Sequence, residues 1–161
     1  MPASGATPAS GVRVGDIEYP LFTRSALKPL QALPLAAHPR FAEFGLTAQE
    51  TALLCSSHNG ETMHAEAAGR LLAKVGLTDA ALQCGTHTPY WYQWNNQRPE
   101  ADRRWGPLFH NCSGKHSGML LQAKLLAAPS DSYLDPANPV QQAIREAVAY
   151  ACDLGDPAGL T

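Results

Sequence analysis

Between positions 12 and 22, Val12, Val14, Ile17, Tyr19 and Phe22 space apolar groups through a short polar stretch with Gly15 and Asp16 between them, which predicts the end of a β-hairpin. From Ser25 the spacing turns helical. Pro29 lies near the first turn, where a missing N–H is tolerated, and Pro34 is expected to bend or end this helix before His38 and Pro39. Thr47-Ala48-Gln49-Glu50 has the form of a capping box and is followed by Ala52, Leu53 and Leu54, so a short apolar helix should deliver the chain to Cys55 and Ser57. Residues 63–75 have helical spacing of small and apolar groups, with Gly76 to close the helix at C′. Thr78 and Asp79 begin a shorter helix. Residues 83–111 have no clear period yet hold Tyr90, Trp91, Tyr92, Trp94 and Trp105, so this stretch is expected to cover a site or pack against something larger. Residues 113–127 turn helical again, and Asn138-Pro139 supplies an N-cap and a first-position proline for a last helix through Tyr150.

A chain of 161 residues, 45% hydrophobic and 16% charged, has enough apolar material for one globular domain with its own core. Residues 1–10, built after Met1 from Ala, Ser, Pro, Gly and Thr without charge, read as a flexible leader, which leaves 11–161 as the body of the domain. That leader lacks the basic start and apolar middle of a secretory signal, and no apolar run is long enough to cross a bilayer. A formal net charge of −2 gives no long-range attraction to nucleic acid or anionic lipid. Arg98, Arg103 and Arg104 among Trp91, Trp94 and Trp105 resemble a base-stacking surface, but such an arrangement is more often a solvated rim around buried rings. Cys55, Cys84, Cys112 and Cys152 are widely scattered, which favours reduced thiols and a cytoplasmic location.

Against this background two constellations carry chemistry. Ser25 and Lys28 stand three apart in Arg24-Ser25-Ala26-Leu27-Lys28, which puts a hydroxyl and an amine on one face of a helix's first turn. Ser57-His58-Asn59 adds a second hydroxyl and an amide of the kind that serine β-lactamases and penicillin-binding proteins pair with such a serine. The second constellation is His110-Asn111-Cys112-Ser113-Gly114-Lys115-His116-Ser117-Gly118-Met119, where a loop becomes a helix. It reads in three ways: a glycine-rich cap with one buried cysteine, a partial zinc clasp from Cys112 and His116, or a Cys112 nucleophile with Lys115 or His116 as its base. His38 and His64 read as surface or packing histidines, His58 and His87 stay undecided, and Glu61 is favoured as a helix cap.

Three blocks in order resemble the L-asparaginase II family, the Rhizobium-type asparaginases: Arg24-Ser25-Ala26-Leu27-Lys28-Pro29-Leu30-Gln31, Cys55-Ser56-Ser57-His58-Asn59-Gly60-Glu61 and 111–119, supported by Phe44-Gly45-Leu46-Thr47 and Gln83-Cys84-Gly85. The resemblance implies an α/β (α+β) fold akin to the serine β-lactamases, with helices packed on an antiparallel sheet. It also implies hydrolysis of L-asparagine to L-aspartate and ammonia through a lysine-activated serine. Ser25, Lys28 and Ser57 fall on the family's catalytic positions, and Cys112 and Lys115 on two zinc ligands. Arg24, Asn59 and His116 are candidates for substrate contact. A homodimer is an admitted assembly, and the partner otherwise implied is the small-molecule substrate, with neither nucleic acid nor membrane. Family members are longer, with more β-structure before the first serine and, later in the chain, a third zinc ligand and a second lysine. The chain therefore reads as an N-terminal part of that domain, with zinc held by an incomplete ligand set. The alternatives are a non-catalytic fragment or small-ligand binding module, and a β-lactam or peptide hydrolase of the penicillin-recognising group.

Overall fold

The computed structural model describes residues 12, 14–16, 19 and 22–154. Among the described residues the architecture is helical throughout, with no strand and no sheet. This corrects the expected α/β fold with helices on an antiparallel sheet. Val12, Val14, Tyr19 and Phe22 are all exposed, so these four positions bury little, and a lone hairpin without a packed face is marginal in water. Ile17, the expected leader at 1–10 and the chain beyond 154 lie outside the described residues.

A 3-10 turn, Arg24–Leu27, leads directly into α1, Lys28–Ala36. Pro34 lies inside α1, which ends before His38 and Pro39 as the sequence suggested. It sits so near the C-terminus that only one backbone bond is forfeited before the helix closes at Ala37, whose N–H donates to Leu33 O at 2.8 Å. α2, Ala48–Leu54, starts from the capping box: Glu50 N–H donates to Thr47 Oγ1 at 3.1 Å and Thr47 N–H to Glu50 Oε2 at 3.0 Å. Burial pushes the Glu50 pKa up, but the Thr47 N–H, Lys74 and Arg70 outweigh it and hold the carboxyl below its ordinary range. α3, Thr62–Ala73, is followed by a 3-10 turn at Asp79–Ala81. The aperiodic stretch contains a short helix, α4, Tyr90–Trp94, and a 3-10 turn at Pro107–Phe109. α5 spans Ser113–Leu125, and α6, Pro139–Ala151, begins where Val140 N–H donates to the Asn138 side-chain oxygen at 3.0 Å.

The centre of the molecule is α5, which touches α1, α2, α3 and α6. Its residues from Ser113 to Ala123 are buried with the single exception of Lys115, so the helix has no polar face to give to water. One apolar cluster gathers Leu35, Leu53, Leu54, Leu71 and Leu121, and a second gathers Leu72, Met119, Leu120, Tyr133, Val140 and Ile144. Gly114 lets α2 come close: a Cβ there would lie 2.5 Å from both Leu53 Cγ and Leu53 O. That contact sets the end of α2, and with it the segment that follows, against the start of α5.

Candidate active site

The turn before α1 and the segment after α2 bring three side chains into one hydrogen-bonded chain. Lys28 Nζ donates to Ser57 Oγ at 2.6 Å and to Ser56 O at 2.8 Å, and Ser57 Oγ donates to Ser25 Oγ at 2.8 Å. Lys28 is only 3% exposed, whereas both serines face solvent. An amine sealed below and two hydroxyls open above is an arrangement that admits a small substrate to the hydroxyls alone. Arg24, immediately before Ser25, has a φ of 48°, a left-handed backbone that a residue with a long side chain rarely adopts. Such strain at the residue before a reactive group holds that group where a regular helix start would not.

The segment that carries Ser57 is fixed on its far side by His58. This ring is buried, its Nδ1 accepts the Gly60 N–H at 3.1 Å, and its Nε2 lies 2.9 Å from Ser113 Oγ. Burial, helped by His64, Lys28, His110 and His87, lowers its pKa to about 3. Gly60 has a φ of 74°, and a Cβ there would strike Phe109 O at 2.5 Å, so no other residue fits this turn. Asn59 is half-buried, its carbonyl accepting Trp91 N–H at 2.9 Å. Glu61 takes the N-cap position of α3, where its N–H donates to His64 Nδ1 at 3.3 Å.

Cys112 and Lys115 stand at the start of α5, the first at the N-cap and the second on the same turn. Burial drives the Lys115 pKa down, and Lys28 adds to this while the Cys112 and Cys84 thiols oppose it. Burial likewise pushes the Cys84 thiol up, with Cys112 in the same direction and Lys115 against it. The field of Lys28 is felt at His58, His110, Lys115 and His116, so the serine group and the α5 turn share one electrostatic environment. Among the described residues no group of three or more His, Cys, Asp or Glu is disposed to hold a metal ion. Cys112 and Lys115 place a thiol and an amine, whose neutral form burial favours, on one turn, two donors where a structural zinc ion takes four. His116 is turned elsewhere: buried, its Nδ1 2.7 Å from Tyr133 Oη, with a pKa lowered to about 3 by burial and then by Lys115, His110 and Lys28.

Tyr133 was not singled out by sequence, and neither were the partners of His87 and His110. Tyr133 is fully buried and its hydroxyl accepts the Gln83 N–H at 2.8 Å while facing His116. His87 Nε2 accepts the Asn111 N–H at 3.1 Å, and His110 Nδ1 accepts the Cys112 N–H at 3.0 Å. The only trace of the latter in the sequence is a histidine placed two residues before the amide it fastens, as at His58-Asn59-Gly60. The aromatic stretch packs on itself through Trp91, Tyr92, Trp105 and Phe109, and Arg103 lies 4.2 Å over the Trp105 ring. It borders a cavity of about 450 Å³ that also touches Gly60 and Glu61 but neither serine nor Lys28.

Among the described residues no helix is long and apolar enough to cross a membrane. No curated protein matches the chain. The family of L-asparaginase II matches residues 5–159, almost the whole length, and so takes in the serines, Lys28 and the start of α5 together. The chain belongs to the L-asparaginase II family.

Proposed function

We propose that the chain is an amidohydrolase that converts L-asparagine to L-aspartate and ammonia, with Ser25 as nucleophile and Ser57 relaying its proton to Lys28. The observation that carries this reading is the continuous chain of contacts from Lys28 Nζ to Ser57 Oγ at 2.6 Å and on to Ser25 Oγ at 2.8 Å. Hydroxyl hydrogens rotate, so the same chain runs from Ser25 through Ser57 to the free lone pair of the amine. Ser25 Oγ adds to the side-chain amide carbon as its proton moves to Ser57 and the Ser57 proton moves to Lys28. The C–N bond then breaks, the proton held at Lys28 passes to the leaving nitrogen, and ammonia departs from an aspartyl ester on Ser25. Water adds to that ester by the same relay and releases L-aspartate. The Arg24 guanidinium, next to Ser25 and exposed, supplies a positive charge suited to a substrate carboxylate, with Asn59 as a further proposed contact, while His116 Nδ1 is occupied by Tyr133. A zinc ion, held by Cys112 and Lys115, would supply a Lewis-acidic charge that orients the amino acid.

A second reading takes Ser57 as nucleophile, favoured by its direct 2.6 Å contact with Lys28. Ammonia release from L-asparagine by the wild-type chain, Ser25→Ala, Ser57→Ala and Lys28→Met, with peptide mapping of the acid-quenched acyl-enzyme, separates the two. We expect Ser25→Ala to lower turnover by more than ~10³-fold and the adduct to lie on the peptide containing Ser25. Retained turnover in Ser25→Ala, or an adduct on Ser57, refutes the first assignment.

A further inference from the structure

We propose that His58 is a positioning residue: both of its ring nitrogens are committed to the walls of the loop, and the imidazole fixes Ser57 beside Lys28 without taking part in proton transfer. The inference rests on the serine reading above, and it runs against the usual expectation that a histidine adjoining a reactive serine is its general base.

The assignment follows from the direction of each hydrogen bond. Nδ1 accepts the Gly60 N–H at 3.1 Å and therefore carries no proton. The hydrogen is on Nε2, which donates to Ser113 Oγ at 2.9 Å, and Ser113 Oγ donates in turn to Leu108 O at 2.8 Å. No lone pair of the ring is left for a serine proton. The main chain is held as well, since His58 N–H donates to Asn111 O at 3.1 Å. His64 stacks on the ring with centroids 4.9 Å apart, which closes one of its faces. The loop that carries Ser57 is thus tied to Ser113 at the start of α5, to Asn111 before it, and to its own Gly60. A charged imidazole would turn an N–H toward the Gly60 N–H, and the depressed pKa of the buried ring agrees with its staying neutral.

Two isosteric substitutions separate the two ring contacts. His58→Asn places an oxygen where Nδ1 lies and keeps the Gly60 bond, while His58→Gln reaches toward Ser113 and gives up Gly60. His58→Ala removes both. We expect His58→Ala to lower kcat for asparagine by ~10²-fold through misplacement of Ser57, and His58→Asn to restore most of it. The pH profile of kcat/KM should keep the same limbs in wild type and His58→Asn. Amide hydrogen exchange at Gly60, followed by NMR, should be slow in wild type and His58→Asn and fast in His58→Ala and His58→Gln. If His58→Asn is as inactive as His58→Ala and loses a limb of the profile, His58 is a base and the proposal fails. Equal protection of the Gly60 amide in wild type and His58→Ala also overturns it. If the wild-type chain releases no ammonia, the asparaginase reading falls, and Gly60 exchange alone still decides whether His58 holds the loop.

Discussion

Replacing Gly114 by alanine probes the contact on which the site geometry depends. The added Cβ would meet Leu53 Cγ and Leu53 O at 2.5 Å and Leu53 C at 3.0 Å, and two of those three atoms are backbone. Backbone cannot rotate aside, so either α2 or α5 must shift. Overpacking of this kind costs about 3 kcal/mol, and the better helix propensity of alanine returns at most ~1, leaving a net loss of about 2 kcal/mol. Gly118 is the control on the same helix, because its Cβ would meet only Leu54 side-chain atoms, the nearest at 3.1 Å. Leu54 has rotamers to yield with, so Gly118→Ala should stay within ~1 kcal/mol of wild type. Urea denaturation followed by tryptophan fluorescence and far-UV circular dichroism gives both values. The loss at Gly114 should also reach the reaction. Leu53 O accepts the Ser56 N–H at 3.2 Å, and Ser56 O accepts from Lys28, so a displaced Leu53 moves the lysine's anchor and Ser57 together. A Gly114→Ala protein as stable as Gly118→Ala would refute the claim that α2 and α5 meet backbone to side chain at a fixed distance.

Two further outcomes follow from buried polar groups. The His58 pKa falls from 6.5 to about 3 on folding, so the unfolded chain binds the extra proton. Its contribution to stability is therefore complete above pH 6.5 and is lost as pH falls toward 3, by ~2 kcal/mol at pH 5. Urea midpoints between pH 8 and 5 should fall more steeply for wild type than for His58→Asn, and parallel slopes would contradict the assignment of a neutral buried ring. Tyr133→Phe strips the partner from both Gln83 N–H and His116 Nδ1, and should cost ~2 kcal/mol or more in the same assay. An unchanged midpoint would mean that those contacts are replaced by water.

Features legible in the sequence are those whose cause is local. The Thr47–Glu50 box and the Asn138-Pro139 start each depend on side chains within three residues of the backbone groups they satisfy, and the structure has both. The helix expected at 63–75 and the one at 113–127 lie within two residues of Thr62–Ala73 and Ser113–Leu125. The hairpin expectation at 12–22 lies partly outside the described residues, and alternation over so few residues carries no information about whether a partner strand or a core face exists for it. At the site, the spacing of Ser25 and Lys28 placed a hydroxyl near an amine, but could not say that the amine reaches Ser57, which lies 32 positions beyond Ser25. His58 was undecidable for the same reason: its role is set by Ser113 and Asn111, which only the packing of α5 brings near.

At His38, His58 and His110 an imidazole nitrogen receives the amide hydrogen two residues ahead. Each clasp is closed within a tripeptide, in the manner of the side-chain turns that Asn and Asp make. Insertions or deletions in the connecting segments outside a clasp leave its shape intact. The chain can therefore vary the length of its surface loops over evolutionary time while the short pieces bearing the chemistry keep their form.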